Sequence, residues 1–321
     1  GAEAGGAMWA RLARGWNPRV AAASLSMLAP PAGALLAANH QVRAGATNCE
    51  QPKPTFSVGC YNVLCSTYAV KWNEREGRGP DGTSNWAQRW PAMRDILLRA
   101  SWDILCMQEV EHTDYSDIAE SLAERYTCHY FKHERRPPDG VMIALRADAF
   151  EGPGKQAEVQ WKGVAFARTD VVHRASGCKV RVVTAHCRGG VAEQLAALAA
   201  FADEANEADV TVVTGDFNED FCPPDAEEVR CPFPEGPLGR YATLRREEGL
   251  PPLSRPPHKQ AQDQTSGKGK VDWIFVRGHR APELFRDEAS RDAVLESHRP
   301  CAATGEWPSD HGAEGFSVRP A

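Results

Sequence analysis

From Lys53 onward, short apolar runs alternate with amphipathic segments, and this alternation constrains the fold more than any other feature of the chain. Phe56–Leu64, Asp103–Met107, Val141–Leu145, Val159–Ala167, Lys179–Ala185, Asp209–Val213 and Val271–Val276 have the length and β-branched content of strands. Ile104-Leu105-Cys106-Met107 reads as a strand buried on both faces, and Lys179-Val180-Arg181-Val182 alternates like a half-exposed one. Between them, Asn85 is placed to cap a helix with Trp86, Trp90, Met93 and Leu97 on one face. Val191, Leu195, Leu198 and Ala202 form a second such stripe. Two sheets enclosed by helices account for this inventory. Residues Cys222 to Gly239 and Pro251 to Gly269 are rich in Pro, Gly and polar residues and read as long loops.

The chemistry-bearing residues sit where these runs end. Asn62 falls in Tyr61-Asn62-Val63-Leu64, Gln108 and Glu109 follow Met107, and His186 follows Ala185. Asp216 and Asn218 follow Val212-Val213-Thr214-Gly215, Asp272 precedes Trp273-Ile274-Phe275, and Asp310 and His311 follow Ser309. Singly, each is an ordinary turn residue or a satisfied imidazole. Together they are the set that phosphoester hydrolysis requires. A hard cation needs carboxylate oxygens, a water needs a base to align it, and the phosphoryl oxygens need donors. A His held by an Asp supplies such a donor. There is no Walker loop and no serine nucleophile elbow.

In order, Tyr-Asn-Val-Leu, Asp-Ile-Leu-Cys-Met-Gln-Glu-Val, Thr-Ala-His, Thr-Gly-Asp-Phe-Asn, Val-Asp-Trp-Ile-Phe and Ser-Asp-His resemble the endonuclease/exonuclease/phosphatase superfamily, from about Phe56 to Val318. The resemblance implies an α/β (α+β) four-layer sandwich, with two mixed β-sheets packed face to face and helices outside. It implies a metal site at Glu109, with Asn62 beside the ion and Asp310 close to it. It implies that Asp216 activates water, that Asn218 is a transition-state donor, that His186 and His311 contact phosphate, and that Asp272 is paired to His311. Magnesium is the implied cofactor, with manganese as a substitute. Tyr61-Asn62-Val63-Leu64-Cys65, Asn85-Trp86, Arg89 and Pro138-Asp139-Gly140 look like the nocturnin and cytoplasmic deadenylase branch. Ala185 replaces the asparagine common before Thr-His there, Cys187 stands where leucine is common, and the stretch from His186 to Gln194 is shorter than that branch's norm.

Three activities fit this resemblance. The first is a 3′-exoribonuclease acting on adenosine-rich RNA. The second is a phosphatase or 2′,5′-phosphodiesterase acting on a small nucleotide. The third is an inactive RNA-binding relative, which the intact acidic set argues against. A net charge of −6 argues against a general DNA coat protein and mildly favours a small substrate over a long polyanion. Lys132, His133, Arg135 and Arg136, with Lys259, Lys268 and Lys270, offer a local basic track for RNA or nucleotide substrate. Lys132, Arg135, Lys268 and Lys270 are its expected substrate contacts. A monomer is expected, without a protein-docking repeat.

Residues 1–52 form an Ala/Arg/Pro-rich extension before a catalytic domain over 53–321. No Asp or Glu lies between Glu3 and Glu50, a bias resembling an organelle transit peptide, mitochondrial or other, with a cytoplasmic location otherwise. Ten cysteines without Cys-x-x-Cys spacing argue against a zinc ribbon, and Cys106 and Cys187 read as buried thiols of a reducing compartment. No apolar run approaches the roughly 20 residues a membrane helix needs.

Overall fold

The computed structural model describes residues 54–75, 85–134, 139–221, 229–235, 239–244, 271–300 and 308–321. The N-terminal extension, the loop expected over Pro251 to Gly269, most of the loop after Cys222, and Arg135, Arg136, Lys259, Lys268 and Lys270 lie outside the described residues.

The elements run β1 (Phe56–Asn62), α1 (Ser66–Arg75), α2 (Trp86–Ala100), β2 (Ile104–Glu111), α3 (Tyr115–Leu122), β3 (Tyr126–Lys132), β4 (Asp139–Arg146), β5 (Lys155–Trp161) and β6 (Val164–Val172). They continue with β7 (Lys179–His186), α4 (Ala192–Asp203), β8 (Val210–Asp216), β9 (Asp272–Gly278), β10 (Glu283–Phe285), α5 (Glu288–Ser297) and β11 (Glu314–Arg319). Six strands pair in the order β10-β11-β1-β2-β4-β3 and five in the order β5-β6-β7-β8-β9. The β1–β2 and β7–β8 pairs are parallel and the others antiparallel, so both sheets are mixed.

Period-two alternation builds the layers. Val58, Cys60, Cys106 and Ile143 of the first sheet meet Val180, Val182, Val212 and Ile274 of the second in one buried cluster. Each fully buried Val or Ile contributes about 1.5–3 kcal/mol there. The opposite faces are apolar as well, so each needs a helical cover. Trp90, Met93 and Leu97 of α2 and Ile118 of α3 pack on Leu105, Met107 and Met142. Leu198, Phe201 and Ala202 of α4 pack on Phe166, Val183 and Val213. The result is the expected four-layer α/β sandwich, with α2, α3 and α5 on the first sheet and α4 on the second.

Several local expectations need correction. The single strand expected over Val159–Ala167 is the turn of a hairpin, because Lys162 and Gly163 adopt φ of 49° and 82° and reverse the chain between β5 and β6. The half-exposed reading of β7 fails at Arg181, which is 2% exposed. Its guanidinium is paired with Asp170 at 2.7 Å and donates to the carbonyls of Ala202 and Glu204 at the end of α4, so a charged side chain is buried on the helix-covered face with its hydrogen bonds made. Asn85 does sit at the N-cap of α2, but its side chain makes no capping bond. Helices α1, α3 and α5 and strands β3, β10 and β11 are additions to the expected set. No helix among the described residues is long and apolar enough to cross a membrane.

Candidate active site

Strand register gathers the expected residues at one end of the two sheets. His186, Asp216 and Asp272 stand opposite one another on β7, β8 and β9. On the other sheet Asn62 stands opposite Gln108 on the parallel strands β1 and β2. A hydrogen bond from Gln108 Nε2 to Thr184 Oγ1, 3.1 Å, ties the two sheets beneath the site. At Gly215 a Cβ would run into the carbonyl of Ala185, so only glycine lets β8 approach β7 closely enough to place Asp216 beside His186.

Glu109 owes its position to a β-bulge. The β2–β4 register shifts between Met107 and Val110, and Glu109 takes a left-handed φ of 57°. That conformation costs a non-glycine residue about 1–3 kcal/mol and recurs where structure serves a site. The bulge aims the carboxylate at Asn62, whose Nδ2 donates to Glu109 Oε1 at 2.9 Å and to Asp216 Oδ2 at 3.0 Å. Asn62 Oδ1 in turn accepts from the amide of Leu64. Asn62 thus holds the two carboxylates together through its nitrogen.

Asp216 is the hub. Its Oδ2 lies 3.6 Å from His186 Nε2 and 3.7 Å from His311 Nε2, while its Oδ1 accepts from the amide of Asn218 at 2.8 Å. Asn218, at φ 52°, places Nδ2 on the carbonyl of Cys187 at 3.1 Å and 3.2 Å from His186 Nε2. On the other flank His311 Nδ1 meets Asp272 Oδ2 at 2.8 Å, with both side chains buried. Burial alone would push the His311 imidazolium down. The Asp272, Asp310 and Asp216 carboxylates outweigh it and push the group up to about 10, so the ring is a cation at neutral pH. Burial likewise opposes charge on His186, yet Asp216, Glu109 and Asp139 shift it upward.

Ligand atoms of Glu109, His186 and Asp216 fall within 4.8 Å of one another, and so do those of Asp216, Asp272 and His311. Asp310 joins neither set. Its buried Oδ1 has no hydrogen-bond donor among the described residues and lies 4.0 Å from His311 Nε2. Carboxylates packed this closely, with one buried oxygen unmatched, suit a small hard cation better than water.

The expected residues Asn62, Glu109, His186, Asp216, Asn218, Asp272, Asp310 and His311 therefore converge. Of the expected basic track, only Lys132 and His133 fall among the described residues. Lys132 is exposed at the end of β3, but His133 is buried and its Nδ1 accepts the amide of Ala165 at 2.9 Å. Burial, with His186 nearby, pushes His133 down to about 4, so it is neutral and adds no positive charge. Two supporting groups carried no assigned role in the sequence. The Arg89 guanidinium donates to the carbonyls of Val63, Leu64 and Pro308, joining the chain after Asn62 to the segment before His311. Ser309 Oγ donates to the carbonyl of Asn62 at 2.7 Å. Arg89 was legible as part of a motif, but its bonding was not.

The chain is similar to CCR4-NOT transcription complex subunit 6-like-A of Xenopus laevis, 29% identical over 130 residues, which cover 37% of this chain and 23% of that protein. It is similar also to the CCR4-Not complex 3′-5′-exoribonuclease subunit Ccr4 of Candida glabrata, 30% identical over 77 residues, 24% of this chain and 9% of that protein. The chain thus spans less than a quarter of the length of these curated relatives. The crystal structure of ANGEL2, a 2′,3′-cyclic phosphatase, in complex with adenosine-2′,3′-vanadate shares the fold, with a TM-score of 0.57, 17% identity, and coverage of 83% of this chain and 96% of that one. The model of the Endonuclease/Exonuclease/phosphatase family matches residues 59–311, and the chain belongs to that family.

Proposed function

We propose that the protein is a magnesium-dependent phosphoesterase that removes nucleotides from the 3′ end of adenosine-rich RNA, with manganese able to replace magnesium. The observation that carries the hydrolytic reading is the buried Asp216 carboxylate set between two histidines and joined through Asn62 to Glu109. The RNA substrate rests on the deadenylase-branch motifs and on the similarity to Ccr4, named an exoribonuclease.

Glu109 would be the principal ligand of the ion, with Asp310 and Asn62 beside it, and Asn62 fixes the Glu109 carboxylate. A bound magnesium ion would neutralise charge accumulating on the phosphate. Asp216 aligns a water and takes its proton, and its position beside two histidines keeps the carboxylate off solvent. His311, cationic and fixed by Asp272, donates to a phosphoryl oxygen, as does His186, while Asn218 adds an amide donor. Lys132, Arg135, Lys268 and Lys270 remain proposed substrate contacts.

The Asp272–His311 pair gives a separate prediction. Removing the carboxylate frees the imidazole to turn and leaves it less able to stay charged, costing about 10²-fold in rate by analogy with other oriented donors. Kinetics of Asp272→Ala, His311→Ala and the double variant are expected to be strongly non-additive. Additive losses would show that the two residues act independently.

A second reading, a phosphatase or 2′,5′-phosphodiesterase on a small nucleotide, is favoured by the net charge of −6, since a long RNA track rewards basic surface. One assay separates the two. Mononucleotide release from a 3′-terminal poly(A) tract and phosphate release from NADP are measured in magnesium and in chelator. Chelator-sensitive trimming of poly(A) supports the exoribonuclease, and release from NADP alone supports the second reading. Turnover indifferent to chelator would overturn both.

A further inference from the structure

Arg89 of α2 is a buried cation that pairs with no carboxylate among the described residues, and it is only 1% exposed. Burying a guanidinium is costly unless hydrogen bonds replace its lost water. Here all of its terminal hydrogens are committed. Nη1 donates to the carbonyls of Val63 at 2.6 Å and Pro308 at 3.0 Å. Nη2 donates to the carbonyl of Leu64 at 2.8 Å and to Ser66 Oγ at 3.2 Å. The ring of Trp86 lies 5.5 Å from the guanidinium carbon.

These bonds fall on two segments that both lead into the site. On one side, Val63 and Leu64 follow Asn62. Leu64 takes a left-handed φ of 58°, which a non-glycine residue keeps only where its surroundings impose it. Arg89 grips the Leu64 carbonyl and the one before it, while the Leu64 amide donates to Asn62 Oδ1. The turn so held aims the Cys65 amide at Glu109 Oε2, 3.0 Å away. Glu109 thus has one oxygen set by Asn62 and the other by the turn that Arg89 holds. On the other side, Pro308 opens the run Ser309-Asp310-His311. Burial pulls Arg89 down from its usual basicity, and Asp310 and Glu109 are among the charges that oppose the shift, so the cation lies close behind both arms.

We infer that Arg89 is a positioning residue of the ion site, its fork fixing the Asn62–Glu109 arm and the Asp310–His311 arm relative to each other before any ion arrives. An ion then meets ligands already in place, their ordering completed in folding and not in binding. Lysine would carry the same charge on one nitrogen, without the planar fork that spans two segments. The inference rests on the phosphoesterase reading for the ion, but not for the tie between the arms.

Arg89→Lys in the full chain tests it. In chelator, where no ion contributes, the substitution is expected to move both the Asn62 side-chain amide and the His311 ring nitrogens in ¹H–¹⁵N spectra. Movement at neither, or at only one of them, overturns the tie. In magnesium, the concentration giving half the maximal rate is expected to rise about 10- to 100-fold, as for other residues that orient metal ligands, with kcat at saturating magnesium much less affected. A lower melting temperature with an unchanged magnesium requirement means that Arg89 only supports the fold, and overturns the proposal. Ser66→Ala spares the carbonyl bonds and is expected to change neither the spectra nor the magnesium requirement. A shift as large as that of Arg89→Lys would place the effect at the start of α1 and overturn the fork. Should Arg89→Lys fail to fold, the unmodified protein decides. Separate, slowly exchanging Nη–H signals of Arg89 are expected in chelator, and one averaged signal from a freely turning guanidinium overturns the proposal. Absence of turnover in the unmodified protein would count against the phosphoesterase reading, and the metal-free spectra would still decide the tie.

Discussion

Replacing Glu109 by alanine is expected to abolish magnesium-dependent turnover, by about 10³-fold or more, while leaving the protein folded. A cation ligand of this kind supplies several kcal/mol of charge stabilisation in the transition state, and each 1.4 kcal/mol is about tenfold in rate. Magnesium takes few protein ligands and completes its shell with water and substrate, so one carboxylate carries much of the site. The fold is expected to tolerate the loss because backbone pairing of β2 with β4 continues on both sides of the bulge. Alanine pays a comparable strain at φ 57°. What is lost locally is an acceptor for Asn62 Nδ2 and for the amide of Cys65. Circular dichroism together with a magnesium titration of initial rates reads both halves. Near-normal activity in magnesium would show that the proposed ion site is wrong.

Asp216→Asn is expected to lower kcat by about 10²–10⁴-fold with KM nearly unchanged, because a base that aligns and deprotonates water acts mainly in the transition state. The change is nearly isosteric. The single carbonyl oxygen that remains can accept from only one of the two donors the carboxylate serves, the Asn218 amide or Asn62 Nδ2, and charge and basicity disappear with the other bond. The amide nitrogen would also meet Asn62 Nδ2, donor against donor, if it took the place of Oδ2. The carbonyl is therefore expected on that side, with the nitrogen near Asn218. Steady-state kinetics decide between roles. A raised KM with kcat preserved would make Asp216 a binding residue, and unchanged kinetics would make it a buried structural one.

The sequence displayed this centre because each member follows an apolar run. Val212-Val213-Thr214-Gly215 before Asp216 and Ile104-Leu105-Cys106-Met107 before Glu109 are local patterns, and a strand buried on both faces ends where its side chains can turn polar. Strands with a mixed inner and outer face were harder to see. β3 reads Tyr-Thr-Cys-His-Tyr-Phe-Lys, with polar residues on the partly exposed positions, and β10 spans only Glu283–Phe285. The hairpin at Lys162 and Gly163 was hidden because Val159 and Trp161 before it and Val164 and Phe166 after it read as one apolar stretch.

What the sequence determined by itself is most of the central strands and the order in which polar residues leave them. These follow from side-chain period and turn chemistry, which act over a few residues. What only the tertiary structure decided is which of those residues touch. Asn62 and Asp216 are 154 positions apart and meet because two sheets pack face to face. Asp272 and His311 are 39 apart and meet because β9 and the segment before β11 end at the same edge. Charge state was decided there too. His133 and His311 are the same residue type with the same intrinsic basicity. Burial, with His186 nearby, keeps the first neutral, and three carboxylates hold the proton on the second. Desolvation and neighbouring charge are properties of a packed interior, and no local pattern along a chain encodes them.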